Sequence, residues 1–354
     1  MDFRFNEEQQ MMAEAVRGLL ADLCQPSDLR RLMQSGAARD EVRWLKFIEM
    51  GLQGALVPED RGGLGLSAAD FVLVAETCGH ACLPEPLVEN AGVALPMLAA
   101  LADDKRCAEV LERALAGEIT VALQHPANLF VSDADIAGAI LIAHDGDLHL
   151  VTPADIMPAR QPSTDPFRRL FSIEGPLPAA ARIGVAVDLD ATLDRGALFA
   201  ASQMLGLAQR AVDLAADYGK SRNQFGKPIG SYQAVKHLLA TAQVKIEFAR
   251  PVVYAAAANL ENFDIYSRAR ISHAKLAATE AADLACRTAI QVHGAMGYSW
   301  EVDVHFFLKR MLALTNWWGD TRFHRNRVAA RVFERPLGAD QTFATENPGK
   351  METL

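Results

Sequence analysis

Cysteine and aromatic residues are scarce in this 354-residue sequence: it has five cysteines, and Phe, Trp and Tyr together make up 7%. The cysteines (Cys24, Cys78, Cys82, Cys107 and Cys286) are scattered, and only Cys78 and Cys82 stand close, one helical turn apart. That pattern argues against a disulfide framework and against a structural zinc site, and reads as reduced, buried thiols. A basic excess is also lacking. With 35 Lys and Arg against 44 Asp and Glu, the net charge of −9 excludes a general binder of nucleic acid or of an anionic membrane surface, since both need clustered cations to neutralise phosphates.

No apolar run reaches the roughly 20 residues that cross a bilayer. Met1 to Phe5 lead straight into Glu7, Glu8, Gln9 and Gln10 without the basic and apolar regions of a secretory leader, so a cytoplasmic location is predicted. There is no P-loop and no nucleophile elbow, and His293, His305 and His324 do not fall at tight metal-ligand spacing, so no metal site is expected.

What is present is the balance of a soluble globular protein, 50% apolar and 22% charged, in a chain long enough for two or three units around a large core. Residues 7 to about 116 carry helical stripes, such as Met11, Ala15, Leu19 and Leu20, then Trp44, Phe47, Ile48 and Leu52. A Pro- and Gly-bearing loop from Val57 to Gly65 interrupts them, with Ser67 as the N-cap of the next helix.

From about 119 the pattern shortens to Ile140-Leu141-Ile142-Ala143 and Leu148-His149-Leu150-Val151 around an Asp-Gly step, which signals a hairpin. Pro158 to Pro178 reads as loop. From about 195 the helical period returns, with Met204, Ala208, Ala211, Ala215 and Tyr218 on one face. The predicted fold class is α+β and mostly α: a helical domain over 1–118, a small β domain over 119–188, a four-helix-bundle domain over 189–340 and a loosely ordered tail over 341–354.

Three segments invite a functional reading, and each has a plainer one. Gly63-Leu64-Gly65-Leu66-Ser67-Ala68 matches a dinucleotide fingerprint, but no alternating βαβ pattern surrounds it, so a loop between helices is favoured. Ser221-Arg222-Asn223-Gln224-Phe225-Gly226-Lys227-Pro228-Ile229 offers a planar cation, an aromatic face and a backbone turn suited to a dinucleotide. Alone it is an ordinary connection between helices. Gln291-Val292-His293-Gly294-Ala295-Met296-Gly297-Tyr298 has glycines that let backbone approach a ligand, or that simply end a helix.

Together, in this order and on this helical, β, helical layout, the segments resemble the acyl-CoA dehydrogenase family. The resemblance includes Gly51-Leu52-Gln53-Gly54 through Pro58-Glu59 and Gly62-Gly63-Leu64-Gly65, and it spans most of the chain. It implies FAD at a subunit interface. Arg222 would contact the pyrophosphate of a neighbour's FAD, Gln224 and Phe225 its adenosine half, and Gln291 and Gly294 would add polar and backbone contacts. It also implies an acyl-CoA substrate, whose α-proton goes to a carboxylate base while the β-hydride goes to the flavin.

The family's base, however, has no counterpart in place. Where the resemblance puts a Tyr-Glu-Gly-Thr-like segment the chain reads Trp317-Trp318-Gly319-Asp320-Thr321, and Trp318 cannot accept a proton at neutral pH. Some members carry the glutamate at the start of the first bundle helix, and Gly196 or Ala197 stands there instead. Asp320 and Asp194 are the nearby carboxylates, and capping or a solvated helix end is their plainer role. The β unit is short, with Leu123-Gln124-His125-Pro126-Ala127-Asn128 at the place of an acidic Thr-Glu-Pro-like segment and no clear Trp-Ile-Thr-like strand.

The leading expectation is therefore a base-lacking subunit that works in a hetero-oligomer, a dimer of dimers with a related dehydrogenase. A self-sufficient homo-oligomer with a displaced aspartate, a non-catalytic interaction subunit, and a site whose chemistry needs no α-proton abstraction are the alternatives.

Overall fold

Local sequence signals set most helix boundaries. In the computed structural model, which describes residues 5–144, 146–184, 188–260 and 265–334, helix α1 (Glu7–Leu23) opens on a capping box in which Asn6 and Gln9 exchange side-chain and backbone bonds. α2 (Pro26–Ser35) starts with proline in its first turn and ends at Gly36 in the left-handed region, φ 68°. α3 (Glu41–Glu49) is capped by Asp40, and α4 (Ala68–His80) by Ser67 with Asp70 closing a second capping box. The Gly63 to Ser67 segment is thus a loop that feeds a capped helix.

A short helix α5 (Leu87–Glu89) widens into a π turn (Asn90–Ala94) and tightens again as α6 (Leu95–Ala100), before α7 (Lys105–Leu115). Such π turns cluster at functional sites.

The β unit holds two small sheets. In the first, β1 (Val121–Gln124) pairs in parallel with β3 (Ala139–His144), which pairs antiparallel with β4 (Asp147–Val151) and through it with β7 (Arg182–Ile183). The second runs β2 (Val131–Ser132), β6 (Leu170–Glu174), β5 (Met157–Gln161). The stretch expected to be loop between Pro158 and Pro178 therefore contains two paired strands. Pro158 is tolerated because β5 is an edge strand, where a missing N–H costs no ladder bond.

The C-terminal half is built on α8 (Leu189–Ser221), α9 (Gln233–Ala257) and α10 (Ile265–His293), with α11 (Val304–Asn316) and α12 (Thr321–Glu334) packed on α10. A two-residue hairpin, β8 (Asn223–Gln224) with β9 (Lys227–Pro228), joins α8 to α9. α8 crosses α4 at backbone distance: a Cβ at Gly206 would collide with the Glu76 carbonyl, and one at Gly79 with the Gln203 carbonyl.

One hydrophobic core runs through both helical regions from Val16 to Trp318, and a second, smaller one lies inside the β unit around Ile140, Ile142 and Phe171. Among the described residues no helix is long and apolar enough to cross a membrane. The tail 341–354 lies outside the described residues.

Candidate functional site

The two segments where the resemblance puts a glutamate, around Trp318 and around Gly196, come together in space. Trp318 follows α11 and is 1% exposed, and its indole lies so close on Gly196 of α8 that a Cβ there would land inside the ring. The backbone of Trp318 is left-handed, φ 61°, a costly conformation for a bulky residue and one that survives only when its surroundings fix it. Several contacts do so. Trp318 N–H donates to Asn128 Oδ1 at 2.8 Å, and its Nε1 donates to Glu89 Oε2 at 3.1 Å. His324 Nε2 lies 2.9 Å from the Trp318 carbonyl, and its Nδ1 lies 3.1 Å from Ser272 Oγ. Burial, first, and then Lys275 hold the His324 imidazole down to about 3, so it is neutral and donates from Nε2 to that carbonyl. The ring of His125 stands 5.5 Å from that of Trp318, centroid to centroid.

The nearby aspartates have structural partners. Asp320 is exposed and caps α12, with Oδ1 accepting from Phe323 N at 2.7 Å. Asp194 is 1% exposed at its side chain and pairs with Arg327 at 2.6 Å and Arg268 at 3.6 Å, which ties α8 to α10 and α12.

Beside the indole lies a set of buried and half-buried charges that the sequence reading missed. Glu89, at the entry to the π turn, is lifted above the usual carboxylate range by burial, against the pull of Arg168 and of the indole N–H groups. Lys275 is 1% exposed and donates to the Leu314 carbonyl; burial, with Arg168 adding repulsion, lowers its ammonium to about 7. The Arg168 guanidinium stacks over Trp317 at 4.1 Å and donates to Ser132 Oγ at 3.1 Å. The sequence trace of this cluster is faint: Glu85, Glu89 and Asn90 interrupt an otherwise apolar stretch, and Lys275 interrupts an alanine-rich helix.

Little room remains around these groups. The cavities that touch Glu89 measure about 40 Å³, lined also by Arg168, Gln203 and Arg310, and about 20 Å³, lined also by Thr120 and Trp317. Those are volumes for a few waters, far below the roughly 300 Å³ at which ligand pockets begin. A larger cleft of about 380 Å³ opens on the other side of Trp317, between Leu129, Phe130, Arg168 and Asn316.

The remaining predicted residues sit at one end of the bundle and face outward. Arg222 ends α8, its N–H donating to the Tyr218 carbonyl at 2.8 Å, and its guanidinium has no side-chain acceptor among the described residues. Gln224 precedes the hairpin turn formed by Phe225, φ 55°, and Gly226, φ 81°, the doubly positive pattern of a two-residue hairpin. Phe225 is 93% exposed. Gln291 is exposed in the last turn of α10, and Gly294, φ 59°, opens the 3₁₀ turn Gly294–Tyr298. Tyr218 and His293 stack with centroids 4.3 Å apart, and so bring the hairpin and the turn side by side. Among the described residues no group of three or more His, Cys, Asp or Glu could hold a metal ion.

Known proteins match this chain along nearly its whole length. Residues 6–118 match the acyl-CoA dehydrogenase N-terminal domain, and residues 184–333 match the acyl-CoA dehydrogenase C-terminal domain. The acyl-CoA dehydrogenase IpdE2 of Mycobacterium tuberculosis is 34% identical over 333 residues, which cover 93% of this chain and 99% of that protein. IpdE2 of Mycolicibacterium smegmatis is 33% identical, covering 93% and 100%. Among solved structures, the ChsE4-ChsE5 complex from Mycobacterium tuberculosis has the same fold, with a TM-score of 0.82 at 22% identity over 95% of this chain and 100% of that one. This chain therefore belongs to the acyl-CoA dehydrogenase family, flavoprotein oxidoreductases that act on a CH–CH bond.

Proposed function

We propose that this chain is the base-lacking subunit of a heteromeric acyl-CoA dehydrogenase: it lends nucleotide contacts to FAD, and a related chain supplies the carboxylate and the acyl pocket. The observation that carries this reading is Trp318 seated on Gly196. One indole fills both places where the resemblance puts a glutamate, and the cavities that touch Glu89, which accepts from that indole, suit water rather than an acyl chain.

The outward-facing loops favour the lending role. A phenylalanine held in the left-handed region costs on the order of 1–3 kcal/mol, and its ring gains almost no contact inside this chain. A partner outside the chain accounts for that cost. Arg222 brings a planar cation matched to a pyrophosphate, Gln224 and Phe225 a polar group and an aromatic face for the adenosine half, and Gln291 and Gly294 an amide and an open backbone. These donor types fit FAD, and bound FAD would supply the hydride acceptor. IpdE2 is a relative over nearly full length, and ChsE4-ChsE5 and Tcur3481-Tcur3483 are pairings of the same fold. They support a two-chain enzyme.

Expression alone and together with a glutamate-bearing family member tests the reading. Purified alone, the chain should lack the visible flavin band; the complex should show it and bleach when acyl-CoA is added. Asp320→Asn and Asp194→Asn in the complex should leave turnover of correctly assembled protein intact. A yellow chain that bleaches alone, and stops bleaching with Asp320→Asn, would overturn the proposal in favour of a displaced base.

A further inference from the structure

We infer that Tyr218 and His293 form a positioning pair that holds the hairpin and the glycine turn at the spacing a bound dinucleotide needs. The inference rests on the nucleotide-lending role proposed above and assigns that role two residues which need not touch the ligand. α8 and α10 are 33 and 29 residues long, and each motif begins just where its helix stops. Helix ends fray, so two exposed loops hung on separate ends keep a fixed distance only if the ends are tied together.

Tyr218 and His293 are the tie. The Tyr218 carbonyl accepts the Arg222 N–H at 2.8 Å, so Tyr218 is the last α8 residue to hold the connector in helical register. His293 is the last residue of α10 and directly precedes Gly294. Their rings lie 4.3 Å apart and 21° from parallel. His293 Nδ1 sits 2.7 Å from the Ala289 carbonyl, which can only accept, so that bond fixes the tautomer and the ring plane. Burial keeps the imidazole neutral. A neutral stack tolerates a half-buried site better than an ion pair would, and it sets orientation as well as distance.

Further contacts brace the connector against the same end of α8. Gly230 packs on Gly219, where a Cβ on Gly230 would press into the Gly219 carbonyl at 2.9 Å, and the Ile229 N–H donates to the Arg222 carbonyl at 2.8 Å. The Tyr232 hydroxyl donates to the Gln224 carbonyl at 3.2 Å. The hairpin is therefore braced on its own helix; α8 and α10 pack along each other, and the stack carries that packing to the ends from which the two loops project.

The test measures FAD affinity of the co-purified complex by flavin fluorescence. Removing a stacking ring should weaken binding by about twofold to tenfold, the range set by such a pair. Tyr218→Ala and His293→Leu should each loosen FAD by that factor, whereas Tyr218→Phe and His293→Phe should bind as the unmodified complex does. Tyr218→Ala combined with Arg222→Ala should lose less than the sum of the two, because one residue acts through the placement of the other. If Tyr218→Ala fails to assemble, His293→Leu decides the outcome by the same criterion. FAD affinity unchanged in Tyr218→Ala and His293→Leu while Arg222→Ala releases FAD would overturn the positioning role alone. No effect from Arg222→Ala either would overturn the nucleotide-lending role itself.

Discussion

Two regions of this molecule use their side chains in opposite ways. At the end of the bundle they project from the fold: Phe225 is 93% exposed, and Arg222 is exposed beside it. Around Trp318, by contrast, the side chain is buried and held by contacts within the chain, from Asn128 and His324 on its backbone to Glu89 on its indole. Packing within the chain accounts for the second region, whereas the ring of Phe225 gains almost nothing from the fold that carries it.

The contrast can be broken from either side. The largest expected effect is on the sealed region. Trp318→Ala removes a buried indole and should cost about 3–5 kcal/mol of stability, read as a lowered denaturant midpoint. A change below about 1 kcal/mol would mean that the chamber around Glu89 collapses freely and is not built around the indole. Arg222→Ala should do the reverse. Stability should be unchanged, while FAD affinity of the complex falls about tenfold or more, the loss of a hydrogen bond to a charged group.

Gly196→Ala probes the same packing as Trp318 from α8. A methyl group driven into the indole should cost about 1–3 kcal/mol, and pairing it with a smaller residue at 318 should restore part of the loss, since the two sites share one contact.

The last effect is spread over pH as a slope. Lys275 titrates near 7 in the folded chain, below its unfolded value of about 10.4. As pH falls from about 10 toward 7 the unfolded chain takes up a proton that the folded chain does not, so stability should decline over that window and level off below it. Lys275→Met should flatten the decline, measured as the thermal midpoint against pH. An unchanged slope would place the titration elsewhere.

Most of the fold was legible in the sequence because its signals are local. The Ser67 cap of α4 and the alternating apolar runs of β3 and β4 each act within a few residues, and the helical stripes are periodic. The strands between Pro158 and Pro178 were not legible, since edge pairing excuses the prolines that made the stretch look like loop. The site divides the same way. The tryptophan at 318 can be read from one segment, and so can the connector around Phe225. The seating of Trp318 on Gly196, the Glu89, Arg168 and Lys275 cluster beside it, and the Tyr218 and His293 stack all join distant parts of the chain. No periodicity or spacing announces such contacts. They follow from helix crossings, where a glycine on α8 admits a ring that belongs to the end of α11.

The account turns on where the proton goes. The direct measurement is single-turnover bleaching of the flavin in a two-chain complex whose only change is the partner's glutamate replaced by glutamine. No bleaching on adding acyl-CoA is the predicted result, because the proposed function draws the base from the partner chain. Bleaching that persists, and disappears only when an aspartate of this chain is also changed, would contradict it.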